Sequence, residues 1–180
     1  MLDIIGDVHG HAVELRRLLT VLGYRKTRGA WRYPGGDRTA LFLGDIVDRG
    51  PRVRESVQIV REMTDSGSAR CILGNHEYNM LTWHTRDRDG SWLRPHDERR
   101  YRQHRETLDA FFGREAELRS TLDWIRTLPF YYQDGDIRAV HAVWDPRSIA
   151  YVDRLNAPLA DERFMSESVR PGTPAYDATE

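Results

Sequence analysis

The chain contains very little cysteine and lysine. Among its 180 residues, Cys71 is the single cysteine and Lys26 the single lysine, so all but one of the 27 basic side chains are arginine. One cysteine excludes an internal disulfide and a zinc site built from several thiolates. It also favours a reducing compartment, and we expect a cytoplasmic protein.

The sequence also lacks an excess of charge and any long hydrophobic run. Its 27 basic and 28 acidic side chains give a formal net charge of −1, with 39% hydrophobic residues. This balance argues against a nucleic-acid partner, because phosphate backbones attract a surplus of positive charge. No apolar stretch approaches the roughly 18 residues that span a bilayer, and the amino terminus lacks the basic segment of a signal peptide. We therefore expect no membrane association.

Three short apolar segments, each ended by glycine, indicate a parallel sheet. They cover residues 2–5, 39–43 and 69–73, and helical apolar spacing follows around residues 15–22 and 53–63. Such alternation predicts strands joined by crossover helices, whose right-handedness places the carboxyl ends of all three strands at one edge. We therefore expect the turns that follow the strands to meet in space.

The remaining chain is less regular. We predict a small hairpin or loop at 24–38, an irregular polar segment at 80–95, helices near 98–112 and 115–128, and a hairpin with strands at 131–132 and 137–140. Residues from about 156 onward contain prolines and few aliphatic side chains. We expect a domain over residues 1–155 and a polar segment over 156–180 that packs poorly.

The turns after the three strands carry side chains suited to metal binding. Carboxylate, imidazole and amide groups without thiolate suit manganese, iron or zinc, and the glycines allow tight turns. The turns are Gly6-Asp7-Val8-His9-Gly10, Gly44-Asp45-Ile46-Val47-Asp48-Arg49-Gly50 and Gly74-Asn75-His76-Glu77.

In order and spacing, these turns resemble the G-D-x-H-G, G-D-x-x-D-R-G and G-N-H-E blocks of the calcineurin-like metallophosphoesterases. The second and third blocks resemble the phosphoprotein phosphatase branch of that family, which includes bacterial serine/threonine phosphatases, and His141-Ala142 resembles a later histidine block. The resemblance covers about residues 1–150. It implies an α/β fold, an αββα sandwich of mixed sheets with flanking helices.

The resemblance also implies a centre of two divalent metal ions. Asp7, His9 and Asp45 would hold the first ion, and Asp45 would bridge to a second ion held by Asn75 and His141. We expect manganese, with iron or zinc as alternatives.

The same resemblance assigns roles in phosphate chemistry. Arg49 and Asn75 would bind phosphoryl oxygens, His76 would donate a proton to the leaving group, and Asp48 would orient His76. The attacking group would be a hydroxide bound to the two metals. For Asp48, a helix-capping carboxylate is the alternative interpretation.

Three functions compete on this basis. The first is a metal-dependent phosphatase for phosphomonoesters, with phosphoserine and phosphothreonine in proteins as the expected substrates. The alternative is a hydrolase of dinucleoside polyphosphates such as diadenosine tetraphosphate. The third is a truncated, non-catalytic module that binds metal or phosphate.

The sequence departs from the family pattern near its second metal site. Val143 stands where glycine usually follows the histidine block, so we expect crowding beside His141. The family's final histidine ligand has no counterpart after His141. Three explanations are open: the chain is the amino-terminal part of a longer protein, water or a side chain such as Asp145 or Asp153 replaces the ligand, or the site is a degenerate remnant.

The other histidines carry weaker signals. We expect His11 and His104 to be solvated surface residues, because His11 lies where the first helix begins and His104 lies within a predicted amphipathic helix. His84 and His96 lie in the segment at 80–95 or just after it, close to several arginines. An arginine-rich solvated loop and a rim of the substrate cleft are both compatible with that segment.

Overall fold

The computed structural model describes residues 1–179. Eight α-helices, seven strands and one 3-10 helix are present in that range. In chain order they are β1 (Leu2–Ile5), α1 (Ala12–Val21), β2 (Arg25–Thr27), β3 (Ala30–Arg32), β4 (Thr39–Phe42), α2 (Val53–Asp65), β5 (Ala69–Cys71), α3 (Asn75–Trp83), α4 (Glu98–Phe111), α5 (Glu115–Ile125), β6 (Tyr131–Asp134), β7 (Ile137–Val140), α6 (Pro146–Val152), the 3-10 helix (Pro158–Ala160), α7 (Glu162–Ser168) and α8 (Pro174–Asp177).

A three-stranded parallel sheet lies at the centre, in the order β1-β4-β5. Ile5 pairs with Phe42, and Phe42 pairs with Cys71, so the carboxyl ends of the three strands lie side by side. The middle strand is fully buried at Ala40, Leu41 and Phe42, as expected for a parallel strand covered on both faces. The prediction of a parallel sheet with crossover helices is confirmed.

Two antiparallel hairpins accompany this sheet. β2 pairs with β3, and β6 pairs with β7. The β6–β7 hairpin leads directly to His141, as predicted. The α/β class implied by the resemblance is therefore present, and in the described residues the β6–β7 hairpin forms a sheet separate from β1-β4-β5.

The prediction of an irregular segment at 80–95 is wrong for residues 80–83, because α3 continues to Trp83. The N-cap residue of this helix is Gly74, whose backbone N–H donates to the Glu77 carboxylate at 3.2 Å. Met80 and Leu81 are fully buried and anchor the second turn of the helix in the core. The two predicted helices that follow are confirmed as α4 and α5.

The carboxyl-terminal segment packs more closely than the sequence suggested. Leu159, Phe164, Met165 and Ala175 are buried and belong to the hydrophobic core. Short helices with side-chain N-caps, such as Asp161 for α7, satisfy backbone polar groups in this segment. The segment therefore packs against the core with few large side chains. Glu180, the last residue of the segment, lies outside the described residues.

No helix within residues 1–179 has both the length and the apolar character needed to cross a membrane.

Candidate metal centre and acid site

The first two glycine-containing turns are joined by backbone hydrogen bonds. The carbonyl of Asp45 accepts from Val8 N at 2.9 Å and from His9 N at 2.8 Å, and Gly50 N donates to the carbonyl of His9 at 2.9 Å. A Cβ atom at Gly50 would lie 2.3 Å from that carbonyl oxygen. Glycine at position 50 therefore allows the two turns to touch.

The buried carboxylate of Glu77 joins the second turn to the third. It accepts backbone hydrogen bonds from Asp45 and Ile46 at 2.7 Å each and from Val47 at 3.1 Å, in addition to Gly74. Glu77 is fully buried, and burial raises the pKa of its carboxyl group. Sequence analysis assigned Glu77 no role, although it closes the third turn motif.

The backbone of these turns is unusual at the functional positions. Among residues 1–179, six non-glycine residues have positive φ, and four of them are His9 (43°), Asp45 (53°), Asp48 (68°) and Arg49 (64°). This region of φ is unfavourable for residues with a Cβ atom. Such conformations persist only where surrounding contacts fix them, and they concentrate at functional sites.

Asp45 lies at the centre of the predicted metal site. Its Oδ2 atom is 3.7 Å from His9 Nε2, 3.9 Å from His76 Nε2 and 3.5 Å from His141 Nε2. Asp7 contributes an exposed carboxylate whose Oδ2 lies 3.5 Å from His9 Nε2. Two ligand clusters, His9-Asp45-His76 and Asp7-Asp45-His141, share Asp45, and the ligand atoms of each lie within 4.8 Å of one another. Asp45 therefore belongs to both clusters.

Two of the histidines present the nitrogen that a metal needs. His9 Nδ1 lies 3.0 Å from the carbonyl of Val47, and His141 Nδ1 lies 2.7 Å from the carbonyl of Leu43. Since a carbonyl only accepts, each Nδ1 carries a proton, and Nε2 is the nitrogen left for a metal when the ring is neutral. Histidine ligands of metals are commonly oriented in this way.

The buried polar atoms of the site fit a cation. His9 Nε2 is buried without a hydrogen-bond partner, although carboxylates of Asp7 and Asp45 lie close to it. Burial opposes the charged form of Asp45, yet hydrogen bonds from His141 and the backbone N–H of His76 lower its pKa. The hydrogen bond to Asp45 raises the pKa of His141 to about 9. Carboxylates and imidazoles without thiolate suit manganese, iron or zinc.

Asn75 and His141, which the resemblance assigns to a second metal, lie close together. The side-chain amide of Asn75 is 3.2 Å from His141 Nε2. With its nitrogen turned toward Asp45, the amide donates to both carboxylate oxygens at 3.1 Å. The expected crowding by Val143 does not occur, because that side chain is 76% exposed and points away from the packed interior.

The two carboxylates considered as replacement ligands have other partners. Asp145 caps α6, where it accepts from Ser148 N at 2.8 Å. Asp153 accepts from the hydroxyl of Tyr131 at 2.5 Å. Neither belongs to a metal-ligand cluster within residues 1–179, so the structure gives no support to these two side chains as replacement ligands.

His76 and Asp48 form the predicted pair. His76 Nδ1 lies 2.5 Å from Asp48 Oδ2, and Asp48 is 2% exposed. Burial opposes both charges, but the hydrogen bond to Asp48 raises the pKa of His76, while hydrogen bonds from His104 and His76 lower the pKa of Asp48. The alternative interpretation of Asp48 as a helix cap is wrong, because Arg52 occupies the N-cap position of α2.

His104 is buried against Asp48, so its prediction as a surface residue is wrong. Its Nδ1 donates to Asp48 Oδ1 at 2.6 Å, and the Thr107 hydroxyl donates to the same oxygen at 2.5 Å. The backbone N–H of Asp48 donates back to Thr107 Oγ1 at 3.0 Å. One turn of α4 thus holds the carboxylate from the side opposite His76. Position 104 lies 56 residues from Asp48 in the chain, and no local pattern signals this contact.

Arg49 lies exposed beside the pair of His76 and Asp48, with Nη2 3.4 Å from His76 Nε2.

Of the remaining histidines, His11 is exposed as predicted. His96 stacks between Trp83 and Trp92, with ring centroids 3.9 and 4.6 Å away. His84 is half-buried, and burial lowers its pKa to about 4.

Comparisons with known proteins agree with this arrangement. The sequence model of the calcineurin-like phosphoesterase family matches residues 2–175. Over 74 residues, the chain is 45% identical to the asymmetrical bis(5'-nucleosyl)-tetraphosphatase PrpE of Halalkalibacterium halodurans, covering 41% of this chain and 30% of that protein. Over 138 residues it is 32% identical to the symmetrical bis(5'-nucleosyl)-tetraphosphatase of Methylococcus capsulatus, covering 77% of this chain and 41% of that protein.

Among solved structures, the cold-active protein-tyrosine phosphatase of a Shewanella species superposes with a TM-score of 0.56 at 22% identity, covering 92% of this chain and 48% of that chain. This likeness concerns the fold. The chain spans less than half the length of each of these three proteins.

Proposed function

Because the chain belongs to the calcineurin-like phosphoesterases, we propose that it is a metal-dependent hydrolase of phosphoric esters and anhydrides whose substrates are dinucleoside polyphosphates. The observation that carries the proposal is the convergence of three turns on Asp45, whose Oδ2 has the Nε2 atoms of three histidines within 3.9 Å. Phosphoryl transfer requires such positioning and electrostatic stabilisation more than covalent chemistry from the protein.

The proposed metal ligands follow the family resemblance and divide into two sets that share Asp45. They differ from the two geometric clusters in that His76 is assigned to the acid and not to a metal. Asp7, His9 and Asp45 would hold one divalent ion, and Asp45, Asn75 and His141 would hold the other. When bound, such ions lower the pKa of water and neutralise charge on the phosphoryl group. Manganese is our expectation, and iron or zinc would accept the same oxygen and nitrogen donors.

The remaining site residues would act on the substrate itself. Arg49 is exposed at the mouth of the site, and its planar guanidinium suits two phosphoryl oxygens. The Asn75 amide would bind a further oxygen. His76 would release a proton from Nε2 to the leaving oxygen, while its Nδ1 stays bonded to Asp48 at 2.5 Å. An acid with a pKa near the working pH is the most effective in this role.

Two curated relatives support the polyphosphate substrate. Both carry the name bis(5'-nucleosyl)-tetraphosphatase, one asymmetrical and one symmetrical. The first is 45% identical over its matched region and the second extends over 77% of this chain. We therefore propose a dinucleoside tetraphosphate as the substrate, and the products formed distinguish symmetrical from asymmetrical cleavage. The single cysteine favours action in the cytoplasm.

A phosphomonoester, such as phosphoserine in a protein, is the second candidate substrate. The observation that favours it is the hydrogen bonding around the proposed acid, His76. Its partner Asp48 accepts from His76 at 2.5 Å and from His104 at 2.6 Å. An alkoxide leaves poorly without a proton, whereas a phosphate leaving group needs less help.

A direct comparison of substrates tests the proposal. The purified chain is incubated with manganese and either diadenosine tetraphosphate or a phosphoserine peptide, and the products are separated by anion exchange. We expect a higher kcat/KM for the tetraphosphate, with ADP alone indicating symmetrical cleavage and ATP with AMP indicating asymmetrical cleavage. A higher kcat/KM for the peptide would establish the second candidate, and stoichiometric binding without turnover would indicate a non-catalytic module.

A further inference from the structure

A cleft of about 480 Å³ opens beside His76, on the side where a protonated leaving group would depart. It is bounded by the acid pair, by Arg49 and by the facing surfaces of α3 and α4. Two further arginines lie in its wall: Arg94, from the connection between α3 and α4, and Arg102, from α4. A second cavity of about 660 Å³ shares Asn75 and Arg94 with this cleft.

Arg94 differs from Arg100 and Arg102 in its partners. Its Nη1 donates to Asn79 Oδ1 at 2.5 Å, and its Nη2 donates to Gln103 Oε1 at 3.4 Å. Both partners are neutral amides. By contrast, Arg100 pairs with Asp97, and Arg102 pairs with Glu98. The guanidinium of Arg94 is thus held in place by two helices without a carboxylate in its hydrogen bonds.

The environment of Arg94 favours an anion. The side chain is half-buried, and removal of a charged group from water is costly unless an opposite charge compensates it. Burial and the neighbouring Arg100 lower the pKa of Arg94. A phosphate group would offset both effects, since it accepts from a guanidinium in a bidentate manner.

We propose that Arg94 binds the phosphate next to the one that is hydrolysed, so that the cleft selects leaving groups that are themselves phosphorylated. This inference rests on the proposed function for the direction in which the leaving group departs. Arg49 would hold the reacting phosphoryl group and Arg94 the phosphate next to it in the substrate, and both arginines line the same cleft as His76. A nucleoside polyphosphate offers a phosphate group to both Arg49 and Arg94. A phosphate ester of an uncharged alcohol offers one only to Arg49.

Binding of inorganic anions tests the inference without turnover. Calorimetry measures the Kd of tripolyphosphate and of orthophosphate for the wild-type chain, for Arg94→Gln and for Arg99→Gln, which removes an exposed arginine of α4 outside the cleft. We expect Arg94→Gln to weaken tripolyphosphate binding by about tenfold or more, the loss typical of a hydrogen bond between charged groups, and to weaken orthophosphate binding less. Arg94→Lys should recover part of the loss.

The result that would overturn the inference is an equal loss for both anions in Arg94→Gln, or a loss no greater than in Arg99→Gln. Tripolyphosphate that binds the wild-type chain no more tightly than orthophosphate would overturn it as well. In a parallel assay, the ratio of kcat/KM for diadenosine tetraphosphate to that for p-nitrophenyl phosphate should fall at least about tenfold in Arg94→Gln. A wild-type chain that binds tripolyphosphate through Arg94 but hydrolyses neither compound would contradict the proposed function alone.

Discussion

At the scale of single residues, the acid site is defined by what surrounds Asp48. His76 binds one carboxylate oxygen, and His104 and Thr107 bind the other at 2.6 and 2.5 Å. A carboxylate held on both sides has little freedom to rotate. Because Asp48 fixes His76 Nδ1, the contacts from α4 determine indirectly where His76 Nε2 lies.

This arrangement predicts a dependence on the leaving group. His104→Ala removes a donor to Asp48 and should reduce kcat for phenyl phosphate by about tenfold or more, within the range of general acid catalysis. The reduction for p-nitrophenyl phosphate should be smaller, because p-nitrophenolate departs without full protonation. His104→Asn keeps a donor near the position of Nδ1 and should restore much of the activity. Kinetics with the two substrates in the three proteins measure this effect.

An equal loss of activity on both substrates would show that His104 only supports the fold. So would a His104→Asn variant as impaired as His104→Ala, provided that circular dichroism shows both to be folded.

Candidate site residues were recognisable from sequence where they lie within one turn. Asp45, His76 and Asp48 lie in glycine-containing turns after buried strands, and the structure brings them together. His104 and Glu77 could not be assigned in this way. His104 lies among charged residues on α4, as a solvated side chain would, and Glu77 contacts a turn some 30 residues away. Such contacts depend on tertiary packing.

At the scale of elements, the site is a set of turns packed backbone to backbone. The turn after β1 and the turn after β4 are linked through Gly50, Gly10 and the carbonyls of His9 and Asp45. The order of strands in the sheet places these turns side by side, and glycine allows them to touch. The positions of the side chains around Asp45 therefore depend on Gly10 and Gly50, which let the two turns approach each other.

Replacement of one such glycine should disrupt the site. In Gly50→Ala the new Cβ would lie 2.3 Å from the His9 carbonyl oxygen, so the turns must separate. We expect the free energy of unfolding to fall by about 2 to 4 kcal/mol, in the range of strongly destabilising substitutions. Urea denaturation followed by fluorescence measures the change.

The matched control is Gly6→Ala in the first turn, where a Cβ would meet nothing within 4 Å. Its free energy of unfolding should change by less than about 1 kcal/mol. Equal stability of the two variants would contradict the close approach of the turns.

Element boundaries were predictable where apolar spacing is regular, as in α2, α4 and α5. The prediction was wrong for α3, because its first residues are the polar ones of the third turn. Sequence patterning assigned them to a metal-binding loop alone, whereas they also form the first turn of a helix that buries Met80 and Leu81. Helical structure and site chemistry share the same residues here.

At the scale of the whole molecule, the hydrophobic core extends into the last 25 residues. Phe164 is 3% exposed and stacks against Tyr151, with ring centroids 6.4 Å apart, and contacts Phe130 edge to face at 5.9 Å. This segment therefore belongs to the same core as the central sheet. Its low content of aliphatic residues concealed that role, because a few aromatic and methionine side chains carry the packing.

Truncation of that aromatic side chain tests the integration of the segment. Phe164→Ala should lower the free energy of unfolding by about 3 to 5 kcal/mol, the usual cost of deleting a buried phenyl ring. Phe112→Ala serves as the control, since Phe112 is 87% exposed, and should change the same quantity by less than about 0.5 kcal/mol. Chemical denaturation of both variants gives the comparison, and a stable Phe164→Ala variant would mean that the segment does not pack as described.

We expect the three turns to form a metal-dependent hydrolytic centre around Asp45. The most direct test is the rate of p-nitrophenyl phosphate hydrolysis by the 180-residue chain across a manganese concentration series, beside Asp45→Asn. Turnover should rise to saturation with manganese in the wild-type chain and be lost in Asp45→Asn, because that substitution removes the carboxylate shared by both ligand clusters. Absence of turnover at every manganese concentration, in wild-type protein shown to be folded, would contradict it.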